Sequence, residues 1–338
     1  MKERIIAMTK LEELTKYIKK LPADTVNTLL DSVKNLLVSD NTAEIPDCPF
    51  CTSAETIRYG HKCHKQRFLC KKCGHTFVTT THTVMSHSHS GDAVWREVIS
   101  DTIQGHSIAY SAEKLELNNA TVFRMRHKIL LALQELPETK QILPGGVSEM
   151  DETFVLESYK GAALPGGVGR EARRHGAKAQ KRGISSEYVC ICTGIERGGD
   201  AYAATVNRAK PDGKELAGVF AGHIAQGALL LCDGLKSYRS LCADTDCSIK
   251  DCHELTEEEK SFFNLNTVNG FHSFIKRRYN YYRGVATKYL NRYNVLFAAS
   301  YHNADILIRQ VCRTLLNVEK TDYFHSGRDV RSLRLLAI

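Results

Sequence analysis

The sequence predicts a multidomain α+β protein, in which helical segments and a cysteine-rich module precede an α/β domain and a group of C-terminal helices. Three observations predict this class: apolar residues recur at helical spacing in residues 9–37 and 92–135, residues 48–90 hold five Cys and six His, and residues 148–233 contain strand-like runs around one helical run. The 338 residues are 43% hydrophobic and 25% charged, which is ordinary for a globular protein, so disorder is not expected and two or three domains can form cores.

Residues 1–40 are predicted to form an N-terminal helical segment. Their pattern indicates two short amphipathic helices, which are separated at Pro22, and the second begins at a capping signal of Asp24 and Thr25. The first residues lack the apolar core of a signal peptide, and no stretch approaches the roughly 18 apolar residues of a membrane span. We therefore expect a protein of a reducing cytoplasm with no membrane partner.

Two cysteine pairs predict a zinc ribbon over residues 45–90. Cys48 and Cys51 form one C-x2-C motif and Cys70 and Cys73 form another, with eighteen residues between the pairs. This spacing is typical of four-cysteine zinc sites, in which each pair directs two thiolates at one ion. Four thiolates leave no open coordination position, so the predicted Zn²⁺ is structural. Four nearby side chains are expected to be bystanders, namely His61, Cys63, His64 and His75.

Residues 91–136 are predicted to form a helix-turn-helix DNA-binding region. Ser107 can cap one helix, and Asn118 or Asn119 can cap the next after a tight turn. In DNA-binding proteins of this layout the last helix lies in the major groove. We expect this helix to expose Thr121, Arg124, Arg126, His127 and Lys128, and we take as candidate DNA contacts Asn119, Thr121, Arg124 and Lys128. A helical hairpin alone is a weak signal, although the net charge of +8 permits a polyanionic partner.

Two acidic residues mark the predicted α/β domain, residues 146–310. The strand in "SEMDETFVLES" carries Asp151 on the same face as Glu149, and the apolar strand in "GALLLCDGLKSY" ends in Asp233. Three strands, a helix and a fourth strand are the layout of an RNase H-like fold with a mixed five-stranded sheet, in which the first and fourth strands are neighbours. Asp151 and Asp233 are therefore predicted to share Mg²⁺ or Mn²⁺, which favour carboxylate oxygens. Glu149 stays open as an extra carboxylate of this site.

A later helix is predicted to complete the site. At helical spacing in "NTVNGFHSFIK", Asn269, His272 and Lys276 share one face, opposite Phe271 and Ile275. Basic residues that follow among tyrosines, and others in a Gly- and Ala-containing loop, are candidate phosphate contacts: Arg277 and Arg283 in the first group, Arg173, Arg174, Lys178 and Lys181 in the second. Two alternatives stay open, because the tyrosines could pack between helices and the loop could be merely solvated.

Four blocks of sequence, "EMDET", "CDGLKSY", "NTVNGFHSFIK" and "YRGVATKYLNRYN", resemble bacterial insertion-sequence transposases of the 1595 (ISXO-like) family. The resemblance extends from about Leu11 to Phe297. It implies an RNase H-like domain that acts on the inverted repeats of its own element, with Asp151 and Asp233 as metal-binding acids. It also implies that Asn269 takes the place of the usual third carboxylate and is followed seven residues later by Lys276. The acids of "HELTEEEK" are instead attributed to a helix-capping box.

The sequence therefore predicts a DNA transposase that binds the terminal inverted repeats of an insertion sequence and carries out Mg²⁺-dependent phosphodiester cleavage and strand transfer. Lys276 is expected to contact a DNA phosphate, and His272 to orient a ligand or a nucleophile. Double-stranded DNA, as element end and as target, is the expected partner of a homo-oligomer that associates with the nucleoid of the bacterial cytoplasm. The alternatives are a zinc-ribbon transcription regulator and a metal-dependent nuclease without strand joining.

Two further expectations concern the rest of the chain. Residues 311–338 are expected to form a C-terminal helical tail. Cys242, Cys247 and Cys252 are expected to be free thiols, because their spacing does not suit a second zinc site.

Overall fold

The computed structural model describes residues 25–26, 45–62, 65–136, 146–164, 171, 178–234, 236–243, 246–282, 284–316 and 330. Most of the predicted N-terminal helices, most of the C-terminal tail, and the candidate residues Arg173, Arg174 and Arg283 lie outside these ranges. The chain divides into two compact units, Met1–Thr79 and Thr80–Ile338. Within the described ranges, every helix is too short or too polar to cross a membrane.

The first unit contains a small antiparallel sheet of three strands. The strands are β1 (Thr56–Lys62), β2 (Lys65–Cys70) and β3 (Thr76–Val78), in that order. Phe68 and Phe77 face each other across β2 and β3 and are buried together with Cys48 and Cys70. So few apolar side chains give a very small core, and a module of this size generally needs a metal or another crosslink to be stable.

The second unit is built on a mixed five-stranded sheet. Its strands are β4 (Val147–Leu156), β5 (Tyr188–Glu196), β6 (Ala201–Arg208), β7 (Leu229–Cys232) and β8 (Ser248–Asp251). Their order is β6-β5-β4-β7-β8, in which β4, β5 and β6 are antiparallel, while β7 and β8 run parallel to β4. The first and fourth strands of the domain are therefore neighbours, as the strand order predicts.

Helices pack on both faces of this sheet. The helices described in the second unit are α1 (Asp92–Gln104), α2 (Ile108–Lys114), α3 (Asn119–Glu135), α4 (Gly213–Phe220), α5 (Glu257–Phe262), α6 (Asn266–Tyr281), α7 (Leu290–Ser300) and α8 (Ala304–Leu316), with 3₁₀ helices at Lys236–Ala243 and Thr287–Tyr289. One face packs on α6 and α7, whose core continues into α1, α3 and α8. The other face packs on α4 and the first 3₁₀ helix.

Alternation along β4 and β5 assigns each side chain to one of these faces. Ile191 and Ile195 belong to the core with α6 and α7, whereas Cys190 and Cys192 belong to the core with α4. Glu149, Asp151 and Thr153 lie opposite Ile195, Thr193 and Ile191. These acids of β4 therefore point to the side of the sheet that α6 covers, and Met150 and Glu152 point to the other side.

Capping explains where α2, α3 and α5 begin. The side chains of Ser107 and Asn118 accept hydrogen bonds from the backbone N–H groups of Tyr110 and Ala120, at the starts of α2 and α3. At the start of α5, Thr256 and Glu259 form the predicted reciprocal capping box. The acids of "HELTEEEK" are thus accounted for by local structure.

Three expectations about individual side chains are wrong. Arg126 and His127 are expected to be exposed on α3, but each is only 1% exposed, because α3 packs against α7. Arg126 donates to Thr102 and to the carbonyl of His106, and His127 packs against Tyr289 and Tyr293. The third correction concerns two thiols: the structure places a disulfide between Cys242 and Cys247, while Cys252 is free.

The tyrosines after α6 are mainly part of the core. Tyr282, Tyr289 and Tyr293 are buried, and Tyr279 packs against Phe297 and donates to Asn294. Tyr281 is 55% exposed and remains accessible for stacking. Helix packing, the alternative left open by the sequence, therefore accounts for four of the five tyrosines.

Candidate active site

The four predicted zinc ligands come together in the first unit. The Sγ atoms of Cys48, Cys51, Cys70 and Cys73 all lie within 4.8 Å of one another. The pKa of the Cys70 thiol is lowered to about 7, chiefly by the backbone N–H of Cys73, whereas burial and the neighbouring thiols raise the pKa of Cys73 to about 12. His75 instead stacks on the ring of Phe50. This four-cysteine cluster could hold a structural zinc ion.

Asp151 lies in the middle of β4, on the sheet face covered by α6. Its Oδ1 accepts a hydrogen bond from the backbone N–H of Glu152 at 2.8 Å, and its side chain is 20% exposed. Burial and the nearby charge of Asp233 raise the pKa of Asp151 to about 6, against the opposing effect of Lys276. Asp151, Asp233 and Lys276 are therefore close enough to affect one another electrostatically.

Asp233 is the first residue after β7 and is exposed. Gly234 follows it with a φ of 86°, and a Cβ at that position would lie 2.7 Å from the Oδ2 atom of Asp251. Glycine is thus required for the chain to turn directly after Asp233. β7 runs parallel to β4 with Leu231 opposite Glu149, so the chain leaves β7 at Asp233 beside Asp151.

His272 connects α6 to this strand pair. Its Nε2 lies 2.6 Å from the hydroxyl of Thr193, and its Nδ1 lies 3.7 Å from Oδ2 of Asp151. The Thr193 hydroxyl, which has one proton, donates to the carbonyl of Asp151, so Nε2 of His272 carries the proton of the ring. Burial lowers the pKa of His272 to about 4, which agrees with a neutral ring. The lone pair of Nδ1 then faces Asp151.

Asn269 and Lys276 lie one turn before and one turn after His272 on α6, and both are exposed. Val268, Phe271 and Ile275 of α6 are buried in the core that α6 shares with β5 and α7. The structure therefore brings Asp151 and His272 into proximity and leaves Asn269, Lys276 and Asp233 accessible around them. Among the described Cys, His, Asp and Glu residues, a ready-made cluster of metal ligands is found at the four cysteines.

Two acids next to Asp151 have different surroundings. Glu149 is fully buried and accepts hydrogen bonds from the backbone N–H groups of Thr267 and Val268 at the start of α6. It is therefore occupied by protein partners, and the idea that it is an extra metal ligand is wrong. Glu152 faces the other side of the sheet, where burial raises its pKa to about 7 and its Oε1 has no hydrogen-bond partner.

The candidate DNA contacts differ in accessibility. Asn119 and Arg124 are exposed on the first turns of α3, Thr121 is half-buried, and Arg124 donates to the hydroxyl of Thr121. Lys128 is half-buried and donates to the carbonyl of Ser86 at 2.9 Å, which the sequence does not reveal. Outside α3, three candidates are exposed, namely Lys178, Lys181 and Arg277.

Two sequence matches link this chain to transposable elements. Residues 143–298 match the ISXO2-like transposase domain. A Halobacterium salinarum protein described as an uncharacterized protein in transposable element ISH50 is 27% identical over 251 residues, which are 73% of this chain and 82% of that protein. The crystal structure of a pre-cleavage Mos1 transpososome aligns with 91% of this chain and 90% of its own, at 9% identity and a TM-score of 0.28, too low to indicate a common fold. The match over residues 143–298 and the relative from a transposable element together support an insertion-sequence 1595 (ISXO2-like) family transposase.

Proposed function

We propose that this transposase binds the inverted repeats at the ends of its element and carries out metal-dependent DNA cleavage and strand transfer. The observation that carries this proposal is that Asp151 on β4 lies near Asp233, which directly follows the neighbouring strand β7, and near the polar face of α6. The strand order β6-β5-β4-β7-β8 supports an RNase H-like catalytic domain. A transposase acts on double-stranded DNA, both at the element end and at the target.

Asp151, Asp233 and Asn269 are the residues we propose to hold Mg²⁺ or Mn²⁺. Their oxygen atoms are the hard ligands that these cations prefer. The raised pKa of Asp151 supports this proposal, because a carboxylate held near another carboxylate in a partly buried site is stabilised by a cation. Bound metal ions of this kind activate the attacking oxygen and stabilise the leaving oxygen in phosphodiester chemistry.

The remaining residues of the site contribute positioning and charge. We propose that His272, which is held by Thr193, orients a ligand or a nucleophile. The lone pair of Nδ1 can accept a hydrogen bond from a water or hydroxyl nucleophile, whereas it can accept one from Asp151 only while that carboxyl group is protonated. Lys276, one turn further along α6, contacts a DNA phosphate near the cleaved bond. Its exposed ammonium group is suited to that role.

End recognition is assigned to the two N-terminal regions. The four-cysteine cluster would hold Zn²⁺ and stabilise a zinc ribbon, and α2 and α3 would act as a helix-turn-helix unit. In this proposal Asn119, Thr121 and Arg124 meet base edges at the start of α3. The chain functions as a homo-oligomer on DNA, because the two element ends must be held together, and it acts at the nucleoid of the bacterial cytoplasm.

The test uses a labelled element end with a target plasmid in Mg²⁺. Asp151→Asn and Asp233→Asn are expected to abolish both cleavage and joining while end binding persists, because each removes a charged ligand but preserves shape. Full activity in either variant contradicts the assignment. Hydrolysis without joined products would instead indicate a nuclease, and DNA binding without Mg²⁺-dependent chemistry in the unmodified protein would indicate a regulator.

A further inference from the structure

Glu149 is a buried carboxylate with four hydrogen bonds. Its Oε2 accepts from the backbone N–H groups of Thr267 at 2.8 Å and Val268 at 3.0 Å, and its Oε1 accepts from the Thr267 hydroxyl at 2.9 Å and from Nε of Arg197 at 2.7 Å. The residue itself is 0% exposed. A buried carboxylate is costly unless it is well paired, and these four donors satisfy it.

These bonds replace the missing cap of α6. The residue that precedes the helix, Leu265, provides no side-chain hydrogen bond to its first turn. The first N–H groups of a helix have no partner within the helix, and a negative charge there is stabilised by the helix dipole. Glu149 meets both needs from a strand that lies 118 residues earlier in the sequence.

The same contact fixes the relation between β4 and the catalytic face of α6. Glu149 precedes Asp151 by two residues, so both side chains are on the sheet face beneath α6. Thr267 and Val268 directly precede Asn269 in the first turn of α6. The bonds of Glu149 therefore join the strand that carries one proposed ligand to the helix turn that carries another.

Arg197 extends this connection to the segment before α6. Besides Glu149, its guanidinium group donates to the carbonyls of Phe262 and Asn264, the latter at 2.9 Å. Arg197 directly follows β5, so the pair holds together the ends of two strands and the link between α5 and α6. The position of α6 along the sheet is set at its N-terminal end.

We infer that Glu149 is a positioning residue, which sets the spacing between Asp151 on β4 and Asn269 and His272 on α6 and thereby sets the affinity of the site for a divalent cation. This inference rests on the proposed function. Partners that orient metal ligands without touching the metal typically change metal affinity or activity by about 10–100-fold when they are removed. Glu149→Gln places an amide N–H₂ among four donors, so at least one of the four bonds is lost.

A second buried pair in the same strand region gives a matched control. Glu157 directly follows β4, is 5% exposed, and is paired with Arg208 and with the hydroxyl of Tyr159. Glu157→Gln therefore makes the same chemical change in a buried Glu–Arg pair, but the partners described for it belong to β6 and the β4–β5 loop. A general loss of stability affects both variants, whereas altered ligand spacing affects only Glu149→Gln.

The experiment measures Mn²⁺ binding to the DNA-free, zinc-loaded protein by electron paramagnetic resonance, together with the Mg²⁺ dependence of cleavage. For Glu149→Gln we expect the Mn²⁺ dissociation constant and the half-saturating Mg²⁺ concentration to rise about 10–100-fold. For Glu157→Gln we expect both to stay within about twofold of the unmodified protein. Thr267→Val, which removes one donor, is expected to cause a smaller rise and decides the question if Glu149→Gln fails to fold.

Three results overturn the inference: unchanged Mn²⁺ binding in Glu149→Gln, unchanged binding in Thr267→Val when Glu149→Gln does not fold, or an equal rise in Glu157→Gln. Asp151→Asn, measured in parallel, separates this outcome from failure of the proposed function. If Asp151→Asn binds Mn²⁺ and cuts DNA normally, the metal site itself is wrongly assigned. If it loses both while Glu149→Gln behaves as the unmodified protein, only the positioning role is wrong.

Discussion

Replacing Asp151 by Asn is expected to make the protein more stable when no divalent cation is bound to the proposed site. Burial and Asp233 raise the pKa of Asp151 from 3.8 to about 6, so the native fold disfavours the charged form of this carboxyl group. Asn keeps the acceptor oxygen for the backbone N–H of Glu152 but carries no charge. A substitution that removes activity should therefore increase the free energy of unfolding.

The magnitude follows from the pKa difference. At about 1.4 kcal/mol per pH unit, the rise from 3.8 to about 6 corresponds to about 3 kcal/mol for a fully desolvated group. The side chain is 20% exposed and its charge is screened by solvent, so we expect about 1–2 kcal/mol. For a protein of this size that gain raises the Tm by about 2–8 °C.

The pH dependence of unfolding tests separately whether Asp151→Asn raises or lowers the stability. The native state binds a proton at Asp151 more tightly than the unfolded state, so ionisation lowers the stability of the unmodified protein as the pH rises from about 4 to about 6. The advantage of Asp151→Asn should be complete above about pH 6 and should vanish near pH 4.

Thermal unfolding of zinc-loaded protein in buffer without Mg²⁺ or Mn²⁺, at several pH values between 4 and 8, measures this difference. Asp200→Asn, a change at an exposed aspartate, is the control and should leave Tm unchanged. Lower stability of Asp151→Asn at pH 8, or a gain that is the same at pH 5 and pH 8, would refute the reasoning.

Three other predictions concern the metal cluster, the third helix and the core. Cys70→Ser should lower the zinc content by about one equivalent and unfold the first unit while the melting of the second unit persists, as measured by atomic emission and calorimetry. Arg124→Ala should weaken end binding and reduce the salt dependence of binding by about 1 in slope. Lys128→Met should instead lower the free energy of unfolding by about 1–2 kcal/mol, because Lys128 donates to the carbonyl of Ser86. An equal loss of DNA binding in both variants, with no loss of stability, would contradict this. Phe271→Ala should cost about 3–5 kcal/mol in denaturant unfolding, since this ring is fully buried against Tyr301 in the core that α6 shares with α7. A loss below about 1 kcal/mol would contradict that packing.

The pairing of β4 with β7 and the polar face of α6 could be predicted from the sequence. An acidic strand, two further strands, a helix and an apolar strand ending in Asp233 are enough to place β4 beside β7, because sheets of this layout pair their first and fourth strands. The helical repeat likewise places Asn269, His272 and Lys276 on one face of α6. Both predictions depend on periodicity and order, which are local properties of the sequence.

Partners that are distant in the sequence could not be predicted in this way. Arg126 and His127 have the composition of an exposed basic face, and only the packing of α7 on α3 explains their burial. Glu149 resembles Asp151 in type and in strand face, yet its partners are backbone N–H groups 118 residues later. Every residue except proline has a backbone N–H group, so residue types do not show where such donors will bind a side chain. From the sequence alone, a buried acid that caps a helix therefore cannot be distinguished from a second acid of a metal site.

The single core shared by α1, α3, α6, α7 and α8 limits how this protein can be divided. Trp95 and Ile129 belong to the same buried cluster as Phe271, Phe297 and Leu315. A fragment that begins after α3 would open that cluster to water, and a chimaera that takes α1–α3 from a relative would need matching surfaces on three C-terminal helices. This core therefore holds the helix proposed to read DNA at a fixed distance from the acids proposed to cut it. Under these proposals, the packing of the core sets the number of base pairs between the recognised sequence and the cut.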